Sequence, residues 1–550
     1  MKRLKTMGVV VLSMVLMLSA FVPVLAASDR CKCGNAPVIS VTGFGHVPLV
    51  DGNGKQVFAP DSQAIVTTVV RDVVPALVKY LSDDDASALM DAIIPAAQSI
   101  FDPVKCDSNG DSVDPDVHIE RYFPNSIDTY NYEVKEGVQD QLSMAIAEKI
   151  GGDHVYVFTY DWRRDMADLA AELNDYIQNV KNQTGHSKVA INGQSMGTCV
   201  VQAYLSIYGT GDVQTVAMLS GAYTGLEMIG QLFTGNIELD GDGLVDMLVQ
   251  AINGSPDKGT LGQLLKYTSL FSAVIDKLAP AIDSQKDRIY KEFVVPYFGF
   301  IPSIWAFVPL DYYSEAYNYM FSDVTPGIDL ASKISPYHLT VQLPMKNRVA
   351  SLVRNSNVNY FCVSQYNRQI APVTPKGNMN SDGVIETYHT SAFATVADRG
   401  TILSDSYNQA VNCHENHISP DRVVDASTCW APENTWFIKN LNHVAYTQGS
   451  AGFFAWLMTA KEQYDVRSNP LYTQFMIYNV DRDYLANYLY EYGDVNLDGV
   501  IDLVDARLAL RHCMDVEYLD ELNLQHADYN TDAIVTKEEV LNIVKTYNGI

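Results

Sequence analysis

Short apolar segments alternate with longer segments of helical periodicity along most of the chain. The predicted strands are short apolar runs at residues 37–42, 154–160, 188–192, 215–219 and 358–363. The predicted helices place apolar side chains at helical spacing, at residues 61–81, 85–100, 135–150, 165–182 and 198–208. Strands that alternate with helices predict an α/β fold with a mostly parallel sheet and right-handed crossovers.

The pattern changes between about residues 225 and 345, where helical segments rich in large apolar side chains occur without strands. An insertion of this kind between two sheet strands is typical of a cap, and an apolar cap suits a hydrophobic acyl chain. Extra helices that complete the core are the alternative. A polar stretch at residues 400–435 is interpreted as a second insertion.

The pentapeptide Gly193–Gly197 reads G-Q-S-M-G and lies between a predicted buried strand and a mostly apolar helix. In this setting G-x-S-x-G presents a nucleophilic serine, here Ser195, at a sharp strand-to-helix turn. The glycines suit a turn that is too tight for side chains. An ordinary turn with an incidental serine is the alternative interpretation.

A nucleophilic serine needs a histidine base and an acid, and with this elbow they follow the serine in the order acid, then histidine. Asp382 lies in a glycine-containing loop after the strand at 358–363, and His443 precedes an apolar helix. Other histidines lie close to Asp382, in the polar insertion or near the C-terminus; they are His389, His414, His417, His512 and His526. We therefore predict that Asp382 orients His443.

The oxyanion of the reaction needs backbone amides as hydrogen-bond donors. One is expected from Met196, directly after the nucleophile, and one from the loop after the first strand. That loop contains Gly43, Phe44 and Gly45. The predicted donors are the amides of Met196 and Phe44.

Several separated motifs make residues 37 to about 460 resemble the lecithin:cholesterol acyltransferase and phospholipase family of α/β-hydrolases. They are Y-D-W-R at 160–163, the elbow, the glycine turn at 220–225, the P-S-x-x-W segment at 302–309 and D-G-V-I at 382–385. The resemblance implies an α/β-hydrolase sheet with a helical cap, and transfer of an acyl group to water or an alcohol. Gln194 replaces the family's usual histidine, and residues 42–45 replace its P-G-x-x-G loop.

Residues 494–505 read D-V-N-L-D-G-V-I-D-L-V-D, the pattern of an oxygen-rich calcium loop. The predicted ligands of this loop are Asp494, Asn496, Asp498, the carbonyl of Val500, Asp502 and Asp505. A second loop offers Asp528, Asn530, Asp532, the carbonyl of Ile534, Thr536 and Glu539. Ala533 stands where glycine is preferred, so we expect weaker calcium binding there.

Two calcium loops, each followed by a helix, resemble a type I dockerin. The resemblance implies that this small all-α module binds a cohesin module of a scaffolding protein. The contact positions carried over from the family are Leu503 and Val504 in the first loop, and Lys537 and Glu538 in the second. A calcium-stabilised domain without a partner is the alternative.

The first 26 residues have a basic start, an apolar run and a small-residue site at Ala26, which predicts a secretory signal peptide. The 550-residue chain carries a formal net charge of −27, which disfavours nucleic acid and anionic membranes as partners. No other apolar stretch is long enough to predict a membrane-spanning helix. The exported protein is therefore expected to be extracellular and attached to a scaffold or cell surface.

Eight cysteines in an exported chain can form disulfides. Cys413 and Cys429 are a candidate pair, Cys31 and Cys33 are too close in sequence to bridge easily, and Cys199 is expected to be a buried thiol. None of the eight has the sequence spacing of a zinc site, and Cys413, His414 and His417 are only weakly suggestive of one.

These observations divide the chain into a signal peptide (1–26), a hydrolase domain (27–487, with a cap at about 225–345) and a dockerin (488–550). The expected activity is that of a serine esterase, lipase or acyltransferase acting on lipid-like acyl esters, with structural calcium and no cofactor for catalysis. Two alternatives stay open. One is a carbohydrate esterase acting on plant cell-wall polysaccharide, and the other is a catalytically silent scaffold or binding component.

Overall fold

A mostly parallel eight-stranded sheet forms the centre of the fold. The computed structural model describes residues 31, 33–58, 68–119, 125–129, 141–241, 243, 277–354, 357–412, 415–480, 483–488, 492–496, 500–519, 521–528 and 534–549. The sheet strands are β1 (Val38–Val41), β2 (Val155–Phe158), β3 (Val189–Gln194), β4 (Val213–Leu219), β5 (Asn359–Tyr366), β6 (Thr435–Lys439), β7 (Phe475–Asn479) and β8 (Tyr484–Asn487). Their order is β8-β7-β6-β5-β4-β3-β1-β2, and only β7 and β8 pair antiparallel.

Two small sheets lie outside this main sheet. One pairs Leu49–Val50 with Gln56–Phe58 and His118–Ile119, and the other pairs Thr395–Val396 with Val424–Asp425. The α-helices are α1 (Val74–Asp83), α2 (Ala86–Phe101), α3 (Gln141–Ile150), α4 (Met166–Thr184), α5 (Gly197–Tyr208), α6 (Glu227–Phe233), α7 (Lys286–Ile289), α8 (Tyr313–Met320), α9 (Ile328–Pro336), α10 (Met345–Arg354), α11 (Thr387–Thr390), α12 (Gln448–Met458), α13 (Leu503–Cys513), α14 (Glu521–Ala527) and α15 (Lys537–Asn548).

Shorter 3₁₀ and π-helical segments connect these elements. The π-helical segments are Val69–Val73, Tyr290–Gly299 and Tyr337–Gln342. The 3₁₀ segments are Asp102–Val104, Ile127–Thr129, Gly152–His154, Pro302–Phe307, Leu310–Tyr312, Ala426–Thr428 and Pro432–Asn434.

The sheet is buried on both faces because helices cover each of them. Side chains alternate along a strand. Ile39 and Val41 of β1 belong to a core that includes α4 and α5, whereas Val38 belongs to one that includes α3 and α12. Because the central strands are buried on both faces, they appear in the sequence as continuous apolar runs.

Helix α4 illustrates how local sequence sets the ends of an element. The Asp165 carboxylate caps its start by accepting the amides of Ala167 and Asp168, each at 3.0 Å. Gly185, at φ +72°, ends it in the left-handed conformation that glycine adopts readily. The predicted helix at 165–182 is therefore confirmed with nearly the same bounds.

The described part of the predicted cap, residues 225–241, 243 and 277–345, contains helical segments and no strand. Trp305 is fully buried, and its indole N–H donates to the Gly299 carbonyl at 2.8 Å. It belongs to the same core as α4 and α5. At least this part of the insertion is joined to the core of the sheet.

The C-terminal helices α13, α14 and α15 enclose a small core of their own. That core includes Val495, Ala509 and Ile543. Helix α13 packs against α15. The predicted signal peptide, at residues 1–26, lies outside the described residues.

Two further sequence expectations concern burial and membranes. Cys199 is fully buried, as predicted, and burial raises the pKa of its thiol to about 12. Of the described helices, none has the length and apolar character needed to span a membrane. Cys413 of the candidate disulfide lies outside the described residues.

The buried ion pair within the Y-D-W-R motif yields a stability prediction. The Arg163 guanidinium donates to Asp161 Oδ2 at 2.7 Å and also to the Val117 carbonyl at 2.7 Å. Asp161→Asn leaves a buried guanidinium without its carboxylate and should cost about 3 kcal/mol in a urea unfolding experiment. The control is Asp465→Asn at the exposed pair with Arg467, which should cost less than about 1 kcal/mol. Equal losses in the two variants would contradict the prediction.

Candidate active site

Ser195 occupies a strained turn between β3 and α5. Its φ is +52°, a conformation that non-glycine residues rarely adopt. A Cβ atom on Gly193 would lie 2.7 Å from the Thr198 Cα, and one on Gly197 would lie 2.6 Å from the Thr42 carbonyl oxygen. Both glycines are therefore required by close backbone approach, as the pentapeptide predicts.

His443 and Asp382 are brought together from loops that follow β6 and β5. Their side chains are joined by a contact of 2.6 Å between His443 Nδ1 and Asp382 Oδ2. Asp382 is fully buried, and its Oδ1 accepts the amides of Val384 at 2.9 Å and Ile385 at 2.8 Å. A carboxylate oxygen beside Nδ1 favours the tautomer with its proton on Nδ1, which leaves Nε2 free to accept one.

Ser195 and His443 line the same cavity, which has a volume of about 200 Å³. The other residues of its wall are Gly43, Phe44, His46, Gln194, Val444 and Tyr446. The predicted nucleophile, base and oxyanion loop therefore share one small cavity at the carboxyl ends of the strands. Open α/β sheets bind ligands at this edge.

The loop after β1 lies directly against Ser195. A Cβ atom on Gly43 would lie 3.0 Å from the Ser195 Cβ and 3.6 Å from its Oγ. The Tyr160 hydroxyl donates to the Thr42 carbonyl at 2.8 Å, and the Trp162 ring lies 4.2 Å from that of Phe44. The Y-D-W-R motif thus supports the loop that carries one predicted oxyanion donor.

The amides of Phe44 and Met196 are available as donors. Neither donates a hydrogen bond to any residue in the described ranges. Met196 immediately precedes α5, so its amide also lies at the positive end of a helix dipole. Both observations suit stabilisation of an oxyanion.

Ser220 supports the histidine loop, a role that the sequence analysis did not identify. Its hydroxyl donates to Gln365 Oε1 at 2.9 Å and accepts the amide of Val444 at 3.3 Å. Ser220 and Val444 both have positive φ values, +49° and +44°. No local motif marks these contacts, because Gln365 lies 145 positions from Ser220 in the chain.

Gln194, the residue before Ser195, lines the small cavity and also bonds to its own strand. Its amide nitrogen donates to Asn192 Oδ1 at 3.2 Å, and Asn192 donates to the Ser40 hydroxyl at 3.0 Å. All three side chains are buried. They form a chain of hydrogen bonds that joins β3 to β1.

A second cavity, of about 700 Å³, lies between the cap segment and the loops after β5. Its wall includes Glu227, Tyr312, Lys376 and His389, but none of Ser195, Asp382 and His443. Burial alone would raise the pKa of Glu227, but nearby His389 and the hydrogen bonds from Lys376 and Tyr312 outweigh it and hold that pKa well below its usual range. The predicted nucleophile and base, Ser195 and His443, line the smaller cavity instead.

The other candidate histidines within the described ranges have different surroundings. His389 lies 3.7 Å from Glu227 Oε2, and His417 lies between Gln474 and Glu433. His512 and His526 belong to the C-terminal helices. His414 lies outside the described residues.

The described residues of the two calcium loops include four buried carboxylates. Asp494 and Asp505 are buried in the first loop, and Asp528 and Glu539 in the second. Asp505 accepts the amides of Asn496 at 2.9 Å and Asp502 at 2.8 Å. Val500, Ile534 and Thr536 are also described, whereas Asp498, Asn530, Asp532 and Ala533 lie outside the described residues.

The four predicted cohesin contacts lie at the starts of two helices. Leu503 and Val504 begin α13, Lys537 and Glu538 begin α15, and all four side chains are exposed.

Comparisons with known proteins give little support to any family. No protein-family model matches the chain, and no curated protein matches it. Among solved structures, a chain of the Tle4-Tli4 complex is similar at 16% identity with a TM-score of 0.18, over 36% of this chain and 48% of that one. This chain thus matches about half the length of that structure, and we draw nothing from a likeness so distant.

The packing of Gly43 on Ser195 predicts that Gly43→Ala lowers kcat by about 10- to 100-fold, because the added methyl displaces the nucleophile or the oxyanion loop. The measurement is steady-state hydrolysis of a short-chain chromogenic ester. Gly211→Ala, where a Cβ would meet open space, is the matched control and should retain wild-type kcat. A fully active Gly43→Ala enzyme would show that the loop does not border the reaction centre.

Proposed function

We propose that the chain is a serine carboxylic-ester hydrolase or O-acyltransferase of α/β-hydrolase architecture. The observation that carries the proposal is the 2.6 Å contact between His443 and the fully buried Asp382, with Ser195 in the same cavity. Three residues far apart in sequence converge at one edge of the sheet in the order that acyl-transfer enzymes with this elbow use. A catalytically silent scaffold would not require this convergence or a strained serine.

The proposed reaction proceeds through an acyl-enzyme. Ser195 Oγ attacks the ester carbonyl while its proton passes to His443 Nε2, and the amides of Phe44 and Met196 stabilise the oxyanion. Collapse of this intermediate expels the alcohol, which takes the proton from His443. Water or an acceptor alcohol then gives a proton to His443 and attacks the acyl group. The acid or new ester leaves as His443 returns that proton to Ser195 Oγ.

Two substrate classes follow from two different observations. The apolar cap insertion and the resemblance to the acyltransferase and phospholipase family favour lipid-like acyl esters. The volume of about 200 Å³ around Ser195 instead favours a short acyl group, such as the acetyl esters of plant cell-wall polysaccharide. A carbohydrate esterase is therefore the second candidate.

We further propose that residues 488–550 are a calcium-binding dockerin that binds a cohesin module. The support is the ligand spacing of both loops and the burial of the carboxylates at their first and last positions. These are Asp494 and Asp505 in the first loop and Asp528 and Glu539 in the second. The exposed positions Leu503, Val504, Lys537 and Glu538 are available to a partner. With a signal peptide at 1–26, the enzyme would act outside the cell on a scaffold.

If Ser195 is the nucleophile, removing its hydroxyl should stop turnover. Ser195→Ala should lower kcat by roughly 10⁶-fold on any ester that the wild-type enzyme hydrolyses. An organophosphate should label the wild-type chain at Ser195, as located by peptide mass spectrometry. The exposed Ser404→Ala is the control and should retain both activity and labelling.

The same assay separates the substrate classes when a phospholipid and an acetylated polysaccharide are compared. Faster turnover of the polysaccharide would favour the carbohydrate esterase.

Retained hydrolysis by Ser195→Ala, or labelling at another residue, would overturn the proposed mechanism.

The two proposed calcium loops fix how many calcium ions the chain should bind. The wild-type chain should bind about two calcium ions, the second less tightly, and Asp505→Asn should lose the first because position 12 supplies a charged ligand. Isothermal titration calorimetry after calcium removal measures the stoichiometry. Asp515→Asn, a change just beyond α13, should bind calcium as the wild type does. Unchanged stoichiometry in Asp505→Asn would contradict the assignment of this loop.

A further inference from the structure

Four side chains with metal-binding chemistry meet at the amino edge of the sheet. Cys31 and Cys33 precede β1, His154 immediately precedes β2, and His186 lies between α4 and β3. Strand β1 pairs with both β2 and β3, and Val38 lies level with Val155 and Ala190. The topology therefore brings the beginnings of three strands, and with them the four side chains, to one point.

The four side chains direct ligand atoms at one another. Nε2 of His154 lies 3.8 Å from the Cys31 sulfur and 3.5 Å from the Cys33 sulfur, and Nε2 of His186 lies 3.4 Å from the Cys33 sulfur. All four ligand atoms lie within 4.8 Å of one another. A tetrahedral zinc ion with ordinary Zn–S and Zn–N bonds holds sulfur and nitrogen ligands about 3.6 Å apart. The observed separations match that requirement.

Contacts around the cluster also suit a metal site. His154 Nδ1 lies 2.8 Å from Asp153 Oδ1, so a carboxylate orients the ring whose Nε2 faces the cluster. The amide of Asn35 donates to the Cys33 sulfur at 3.5 Å. Carboxylate-to-histidine contacts of this kind commonly fix the tautomer and orientation of a zinc ligand.

We propose that Cys31, Cys33, His154 and His186 bind one zinc ion in a tetrahedral structural site. Two thiolates and two imidazoles favour zinc over calcium or magnesium, and four protein ligands leave no open position for substrate. The site lies at the amino ends of the strands, whereas Ser195 lies at their carboxyl ends. The zinc ion therefore takes no part in ester hydrolysis. It fastens the segment before β1 to the beginnings of β2 and β3.

Sequence spacing alone did not point to this cluster. The sequence spacing showed only C-x-C, because His154 lies 121 positions and His186 153 positions beyond Cys33. Burial of both histidines beside the two thiols becomes visible only in the fold.

The direct test is the zinc content of the full-length chain, prepared without a polyhistidine tag, loaded with zinc and dialysed. Wild type should retain about one zinc per chain by mass spectrometry of the metal, and His186→Ala should lose it. The partly buried Cys513→Ser, outside the cluster, is the matched control and should keep its zinc. Cys31→His preserves a zinc ligand and should also keep the metal, which guards against loss through misfolding.

Cobalt and a selective chelator provide independent readouts. The wild-type chain loaded with Co²⁺ should show the intense visible bands of tetrahedral cobalt together with thiolate-to-cobalt charge transfer. A zinc-selective chelator, added with excess calcium so that the calcium loops stay filled, should lower the melting temperature of wild type but not that of His186→Ala.

Three results would overturn the proposal. They are a wild-type chain that holds no zinc after loading, equal zinc in wild type and His186→Ala, and a Cys31–Cys33 disulfide in the native chain. Ester hydrolysis is measured separately below the melting temperature. Failure of the zinc site is thereby distinguished from failure of the proposed esterase.

Discussion

The close backbone approach at the Ser195 elbow is the constraint on which the rest of the site depends. Gly193 and Gly197 leave no space for a Cβ atom, because β3 turns into α5 directly against Thr198 and the end of β1. That compression holds Ser195 at φ +52° and directs its side chain into the cavity that it shares with His443. Strain of this kind costs about 1 to 3 kcal/mol and persists only where the surroundings impose it.

Long-range contacts hold Ser195 in this strained conformation. Ser195 donates its amide to the Leu219 carbonyl at 3.1 Å, so the elbow is held by the end of β4. Ser220, the next residue, supports the histidine loop through Val444 and contacts Gln365 of β5. Ser195 and His443 are thus held through neighbouring strands of one sheet, which gives them a fixed relative position. Sites built on rigid elements hold catalytic geometry better than sites built on loops alone.

Much of this arrangement could be predicted from the sequence. Buried central strands form apolar runs, so five strands of the sheet were identified, and the elbow glycines follow from a local steric requirement. The pairing of Asp382 with His443 was predicted from chain order. Strands β6, β7 and β8 were not identified, because their short runs follow a polar insertion or lie near the domain boundary.

The remaining features depend on residues that meet only after folding. The Ser220 and Gln365 contact joins positions 145 apart, and the cluster of Cys31, Cys33, His154 and His186 joins three strand beginnings. Neither leaves a local spacing that a single sequence displays. We thus propose acyl transfer at the carboxyl ends of the strands and a zinc-stabilised N-terminal segment at their amino ends.

The most direct test of the central claim is a crystal structure of the chain inactivated with a small organophosphonate. We expect a covalent bond from phosphorus to Ser195 Oγ. The phosphoryl oxygen should lie within hydrogen-bond distance of the amides of Phe44 and Met196, and His443 Nε2 should lie beside the adduct. An adduct on another residue, or a phosphoryl oxygen directed away from both amides, would contradict it.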